Sequence, residues 1–287
     1  MVAGQFFHTG TRVVTWMDPG GYDAYRPGPR FPSPPPEKGK KPAPFPTKWF
    51  DARPGGADLP ALQRTVDQFV LHYDQVGLSK TCFAVLHDQR GLSVHFMLDL
   101  DGTVYQTLDL KERAWHATTA NSRSVGIEIA NIGAFAPGDT TELAAWYRRD
   151  ARGRTYLRVP KSEGDPLFRT PGFVGRPARD TPVAGVVQHL PLEQYDYTPE
   201  QYAALIKLTA ALCRVFPNLV CAYPRDAAGK LIRHKLPDAG LANYRGLLGH
   251  FHVQTNKIDP GPAFQWDKVI EGARELLGGK TPPFAQP

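Results

Sequence analysis

Residues 249–261 gather side chains whose combined chemistry is unusual for so short a stretch. His250 supplies an imidazole, Lys257 an ammonium and Asp259 a carboxylate. Two of these suit a metal ion as ligands, and the third suits an electrostatic clamp on a reacting carbonyl. The spacing from His250 to Asp259 is too long for one helical face. It fits a loop that leaves a strand end and folds back on a single ion. Asp259-Pro260-Gly261 stops that loop sharply, because proline fixes φ and glycine accepts positive φ. His252, two residues on, competes for the same role, and the preceding Gly249 favours His250.

Two more polar groups stand where an apolar strand would not ordinarily carry them. His72 lies near the end of Gln68-Phe69-Val70-Leu71-His72-Tyr73, and Glu128 interrupts Ser124-Val125-Gly126-Ile127-Glu128-Ile129. Each alone has an ordinary reading: a lone strand histidine is most often a satisfied core or edge residue, and a lone strand glutamate usually faces solvent. Together with His250 they present polar groups at three strand ends. Burying an unpaired polar group costs roughly 2–7 kcal/mol, so three converging ones point to a shared purpose, and a metal ion satisfies them at once.

Such residues need a sheet to hold them. The apolar pattern predicts a short helix over 60–66 and strands over 68–73, 92–99, 103–108 and 124–131, with Asp101-Gly102 as a hairpin turn. Residues from about 134 to 197 read as a long irregular insertion containing a short helix over 141–149 and a strand over 185–190. Thr198-Pro199-Glu200-Gln201 then opens the clearest helix, with Thr198 as N-cap, proline in the first turn and Gln201 completing a capping box; Pro217 ends it. A strand over 245–250 and a helix over 263–277 close the body, with Gly278-Gly279 as the stop. His87 reads as a loop residue and His95 as a packing residue behind the site.

The chain has 287 residues, a formal net charge of +6 and a sequence pI of about 9.2. A basic balance favours anionic partners, but the positive runs at 38–41 and 148–154 are short and interrupted, so no nucleic-acid arm is expected. No apolar stretch reaches the roughly 20 residues of a membrane span, and residues 1–8 lack the basic start and apolar run of a signal peptide. The cysteines at 82, 213 and 221 cannot all pair within one chain, and no C-x-x-C zinc knuckle is present. Cys213 and Cys221 flank a helix end and could close a small loop. Prolines at 27, 29, 32, 34, 35, 36, 42, 44 and 46 exclude helix and sheet interior and favour an extended arm. The aromatic residues Tyr22, Tyr25, Phe31, Phe45, Trp49 and Phe50 beside them suggest that the arm lies on the body.

Several segments now occur in one order: Leu71-His72-Tyr73, Ser93-Val94-His95-Phe96, Asp101-Gly102-Thr103-Val104-Tyr105-Gln106, Ala114-Trp115-His116-Ala117, Asn121 with Ser124-Val125-Gly126-Ile127-Glu128-Ile129, and Gly249-His250 with Lys257-Ile258-Asp259-Pro260-Gly261. In that order they resemble the zinc-dependent N-acetylmuramoyl-L-alanine amidases, a family that includes amidase-type phage lysozymes and peptidoglycan-recognition proteins. The resemblance covers about 62–277 without the insertion. It implies an α/β fold, with a central, mostly β mixed sheet flanked by helices. The arm would span 1–60, the zinc amidase domain 61–280 with its insertion at about 134–197, and the tail 281–287. It implies zinc held by His72, His250 and Asp259, Glu128 as catalytic carboxylate, Lys257 as the cation facing the carbonyl, and His116, Asn121 and Trp115 along the substrate cleft. The implied reaction is hydrolysis of the amide between N-acetylmuramic acid and L-alanine in peptidoglycan or muropeptides. The alternatives are a non-catalytic peptidoglycan-binding module and a zinc peptidase acting within the stem peptide. The family often has glycine after Trp-His-Ala, where this chain has Thr118. The expected location is periplasmic or secreted, at the cell wall, with cytoplasmic recycling or phage lysis as alternatives.

Overall fold

A computed structural model describes residues 1–31, 45, 46, 48–160 and 168–279. Most of the expected polyproline run, the positive run at 38–41 and the tail from 281 lie outside the described residues. The strands are β1 (Val13–Thr15), β2 (Phe50–Ala52), β3 (Gln68–Tyr73), β4 (Phe96–Leu98), β5 (Val104–Gln106), β6 (Glu112–Ala114), β7 (Ser124–Ile129), β8 (Tyr147–Arg149), β9 (Thr155–Leu157), β10 (Val183–Val187), β11 (Leu190–Gln194) and β12 (Gly246–Gly249). The α-helices are α1 (Leu59–Thr65), α2 (Ser79–Phe83), α3 (Thr141–Trp146), α4 (Pro199–Val215), α5 (Asp238–Asn243), α6 (His250–Val253) and α7 (Trp266–Leu276), with a π-helical turn over Ala84–Arg90 and a 3-10 turn over Thr118–Ala120.

The central sheet has six strands in the order β1-β5-β4-β7-β3-β12. Strands β4, β7, β3 and the edge strand β12 run parallel, and β5 is antiparallel to β4. All six residues of β3 are buried, as its continuous apolar run requires of a strand covered on both faces. One face carries Phe69, Leu71, Tyr73, Val125, Ile127 and Ile129, which pack with Leu205, Leu208, Leu212, Val269 and Ile270 of α4 and α7 in one apolar cluster. The period-2 alternation of a strand then puts His72, Gly126 and Glu128 on the opposite face. The fold is thus a mixed α/β sheet with helices on both sides.

Helix α4 begins as its sequence dictates: Thr198 Oγ1 accepts from Gln201 N (3.1 Å) and Gln201 Oε1 accepts from Thr198 N (2.9 Å). Helix α1 is capped by Asp58, whose Oδ1 accepts from Ala61 N at 2.8 Å. The strand expected over 92–99 is confined to Phe96–Leu98. Its first half leaves the ladder because its side chains are engaged elsewhere: Ser93 Oγ donates to Trp49 O (2.6 Å) and accepts from Trp115 N (3.0 Å). The helix expected over 141–149 ends at Trp146, where Tyr147–Arg149 pair with β9 across a turn held by Asp150. The strand expected over 185–190 is a full hairpin, β10–β11, turning at Gln188 and His189. The strand expected over 245–250 stops at Gly249, and His250 begins α6. His87 is buried in the π-helical turn rather than in a loop, its Nδ1 2.6 Å from Asp88 Oδ1.

The described part of the arm packs on the body. Strand β1 forms an edge of the central sheet, and β2 pairs with β6. The ring of Tyr22 stacks on Tyr105 at 4.2 Å, and Trp49 meets the His87 ring edge-on at 4.7 Å. Cys82, Cys213 and Cys221 are all free thiols. Among the described residues, no helix is long and apolar enough to cross a membrane.

Candidate metal centre and cleft

The carboxyl ends of β7, β3 and β12 form one edge of a cavity of about 320 Å³. Register explains why. His72 is paired with Glu128, and Gly249 with Leu71, so His250 emerges one step beyond β12, beside His72. In sheets of this kind the ends of parallel strands are where ligands bind. Asp259 returns to the same point through the loop after α6, which Phe251 N ties back by donating to Asp259 O at 3.2 Å. His72, His250 and Asp259 are all buried.

The three donor atoms form a nearly equilateral triangle. His72 Nδ1 is 3.0 Å from His250 Nδ1 and 2.9 Å from Asp259 Oδ2, and His250 Nδ1 is 3.0 Å from the same oxygen. A tetrahedral zinc site with bonds of about 2.0 Å has ligand–ligand edges of about 3.3 Å, so the triangle is close to that size. These three residues are the group among the described residues that can hold a metal ion.

The outer hydrogen bonds set the tautomers. His250 Nε2 lies 2.7 Å from Gln254 Oε1, an acceptor, so the proton sits on Nε2 and Nδ1 keeps its lone pair. His72 Nε2 is 3.0 Å from His116 Nδ1, and His116 Nε2 is 3.2 Å from Ser124 Oγ. Protons running outward along that chain leave His72 Nδ1 bare as well. Burial, followed by the neighbouring His250, lowers the His72 pKa to about 4, so the ring is neutral near pH 7. Two lone pairs and a carboxylate thus converge with no proton between them, which is repulsive until a cation stands among them. The donor set fits a divalent metal.

Glu128 and Lys257 line the same cavity. Glu128 Oε2 is enclosed and has no hydrogen-bond partner. Burial, with the charges of Asp259 and Asp74, raises its pKa well above the ordinary carboxyl value. His116 and Trp115 also line it. His116 packs flat over Gly126, where an added Cβ would come within 2.5 Å of its ring. The Trp115 indole donates to Asp51 Oδ2 at 2.8 Å. Asn121 is elsewhere: it is buried, and its Oδ1 accepts from His116 N (3.2 Å) and Ala117 N (2.6 Å). It holds the backbone of the loop that carries His116 and is not among the residues lining the cavity. His252 faces away from the triangle. The chain enters helix α6 at His250 instead of continuing the strand, and His252 Nδ1 accepts from Gly249 N (2.9 Å) while Nε2 donates to Ile232 O (2.7 Å). His95 is fully buried behind the sheet face, where its Nδ1 accepts from Gly126 N at 3.1 Å.

Some residues of the site carried no signal in the sequence. Asp74 lines the cavity, its Oδ1 accepting from Val76 N (3.1 Å), Gly77 N (2.8 Å) and Asn131 N (3.1 Å). Arg90 comes from the end of the π-helical turn. Arg53, from the arm, is 4% exposed and spans the carbonyls of Leu110, Glu112, Ser122 and Ser124 at 2.9–3.2 Å, fixing the loop that carries Trp115 and His116. Apart from His95 Nε2 at 3.2 Å its partners are backbone atoms, which no sequence pattern reveals.

Residues 62–262 match the family model described as N-acetylmuramoyl-L-alanine amidase. No curated protein matches the chain. Among solved structures, a selenomethionine derivative of AmpD is similar at 17% identity, covering 79% of this chain and 91% of that one with a TM-score of 0.37. AmiD from E. coli, an N-acetylmuramyl-L-alanine amidase in complex with the substrate anhydro-N-acetylmuramic acid-L-Ala-D-gamma-Glu-L-Lys, is 17% identical over 76% of this chain and 65% of that one, with a TM-score of 0.39. The endolysin LysCS from Clostridium intestinale is 16% identical over 76% and 86%, with a TM-score of 0.34.

Proposed function

The chain belongs to the N-acetylmuramoyl-L-alanine amidase family, and from that premise we propose that it cleaves the lactyl–alanine amide of peptidoglycan fragments with zinc held by His72, His250 and Asp259 and with Glu128 as base. The observation that carries this reading is the convergence of two bare imidazole nitrogens and a carboxylate, 2.9–3.0 Å apart, at the edge of the cavity that Glu128 and Lys257 also line. Zinc bound there supplies Lewis acidity, polarising a carbonyl and lowering the pKa of water from about 16 toward about 7.

The protein's own part follows from its side chains. His72, His250 and Asp259 offer three donors, two neutral and one anionic, the count of a catalytic site and one short of a closed structural one. Glu128 accepts a proton from the attacking water at its carboxylate. It then passes that proton to the nitrogen as the C–N bond breaks, leaving a muramic carboxylate and an alanine amine. Its raised pKa is the direction that this double duty requires near neutral pH. Lys257 brings an ammonium to the oxygen that gains negative charge, a contribution worth about 3–4 kcal/mol for one donor. His116 holds the outer nitrogen of His72, and Trp115 offers a ring wall to the substrate. The muropeptide in the AmiD relative supports the same substrate class, and the charge of +6 favours a carboxylate-rich wall polymer.

Mass spectrometry of muropeptides incubated with the full chain tests the reading. The expected products are intact stem peptides with a free alanine amine, and a chelator abolishes them. Glu128→Ala is expected to keep its zinc while kcat falls about 10²–10⁴-fold. Full activity in that variant would remove Glu128 as base, and cuts inside the stem peptide would make the protein a peptidase.

A further inference from the structure

The insertion is not among the motifs that carry the family resemblance, yet its hairpin reaches the metal loop at two points. Helix α6 has four residues, too few to sustain itself, and its last carbonyls have no following turn to satisfy them. Gln188, at the hairpin tip, fills that gap: its Nε2 donates to Phe251 O (2.9 Å) and to Gln254 O (2.8 Å). At the base of the hairpin, Gln194 is fully buried. Its Oε1 accepts from Ala263 N (3.0 Å) and its Nε2 donates to Pro260 O (3.1 Å), the carbonyl to which Tyr197 also donates at 2.7 Å. One glutamine therefore grips the chain just after His250 and the other just after Asp259. Gly261 is required there, since any Cβ would run into the Gln194 carboxamide.

The turn itself gives a second, independent sign. Gln188 and His189 have φ of 52° and 66°. Two-residue hairpin turns of this hand prefer Asn-Gly or glycine, and glutamine is locally disfavoured there. Lys235 N donates to Gln188 Oε1 at 3.3 Å, so both ends of the carboxamide are engaged. The side chain accounts for a residue that the backbone would not select.

We infer that the β10–β11 hairpin is a clamp on the metal loop, in which Gln188 and Gln194 are positioning residues that hold His250 and Asp259 at the spacing a cation requires. This rests on the metal reading above and extends it to the insertion.

The test is zinc affinity of the full chain, measured by competition with a chromogenic chelator, alongside thermal unfolding of the zinc-free protein. Gln188→Gly suits the left-handed turn, so the hairpin is kept while the clamp is lost. Its zinc affinity is expected to fall about 10–100-fold, as for other residues that orient ligands, with the zinc-free midpoint unchanged or higher. Gln188→Asn tolerates the turn but is one methylene too short, and it is expected to fall equally. Wild-type affinity in both variants would overturn the clamp and leave the metal reading standing. A drop in the zinc-free midpoint large enough to explain the weaker binding would also overturn it, because Gln188 would then serve the fold. Absence of zinc binding in the wild type would remove the metal reading and the clamp with it.

Discussion

Asp99 shows what a buried carboxylate costs when nothing positive answers it. It is 2% exposed, accepts from Leu100 N at 3.0 Å, and burial with the charges of Asp101 and Asp74 lifts its pKa to about 8. The unfolded value is about 3.9. Between about pH 4 and pH 8 the folded chain therefore holds a proton that the unfolded chain has released, and stability falls as pH rises through that window. Asp99→Asn keeps the acceptor oxygen and removes the charge. Its advantage over wild type in urea unfolding is expected to widen by up to about 1.4 kcal/mol per pH unit from pH 4 to 8 and then level off. A gap that is constant with pH would contradict this. Asp259 is the opposite case, a buried carboxylate with two imidazole nitrogens within 3.0 Å of one oxygen. That contrast bears on what could be read from the sequence. His72, His250, Glu128 and Asp259 were legible because each is a polar group set into an apolar or turn-rich pattern. Arg53, Gln188 and Gln194 were not, because they bond to backbone atoms distant in the chain, and Asp74 was not, because an aspartate that accepts from its own turn looks like any loop aspartate. The loop bonds of the Asn121 carbonyl to His116 N and Ala117 N are of the same hidden kind.

At the scale of elements, the site depends on a sheet face that is narrow at one strand. Gly126 sits between Ser124 and Glu128 on β7, and the His116 ring occupies the space a side chain would take. Gly126→Ala is expected to push that ring off His72, destabilise the fold by about 1–3 kcal/mol through overpacking, and weaken zinc retention. Urea unfolding and chelator competition check both effects, and an unchanged affinity would show that His116 does not orient His72. The buried strands β3 and β7 and the capped helix α4 were legible because continuous apolar runs and a capping box depend on local sequence. The hairpin β10–β11, the short pair β8–β9 and the four-residue α6 were not, since tertiary partners stabilise them. The switch at His250 from strand to helix decides which imidazole reaches the triangle, turning His252 to Ile232 and leaving His250 beside His72 and Asp259.

At the scale of the molecule, the described parts of the arm and the insertion are built into the body. The arm gives the central sheet its edge strand β1 and inserts Tyr22 beside Phe83 and Tyr105. Tyr22→Ala is expected to cost about 3–5 kcal/mol, as for other large buried aromatics, measured as a shift in the thermal midpoint. A loss below about 0.5 kcal/mol would mean that the arm is not part of the core. The sequence suggested this attachment through its aromatics but not the strand, because β1 is three residues long and its pairing partner lies about ninety residues away. All these parts serve the centre at which β3, β12 and the loop after α6 meet. Zinc stoichiometry therefore probes the whole arrangement, measured by elemental analysis of the purified chain beside His72→Ala, His250→Ala and Asp259→Ala. The expected result is one zinc per wild-type chain and its loss from each variant while the fold is kept. A wild type that binds no zinc, or variants that all retain it, would contradict the account.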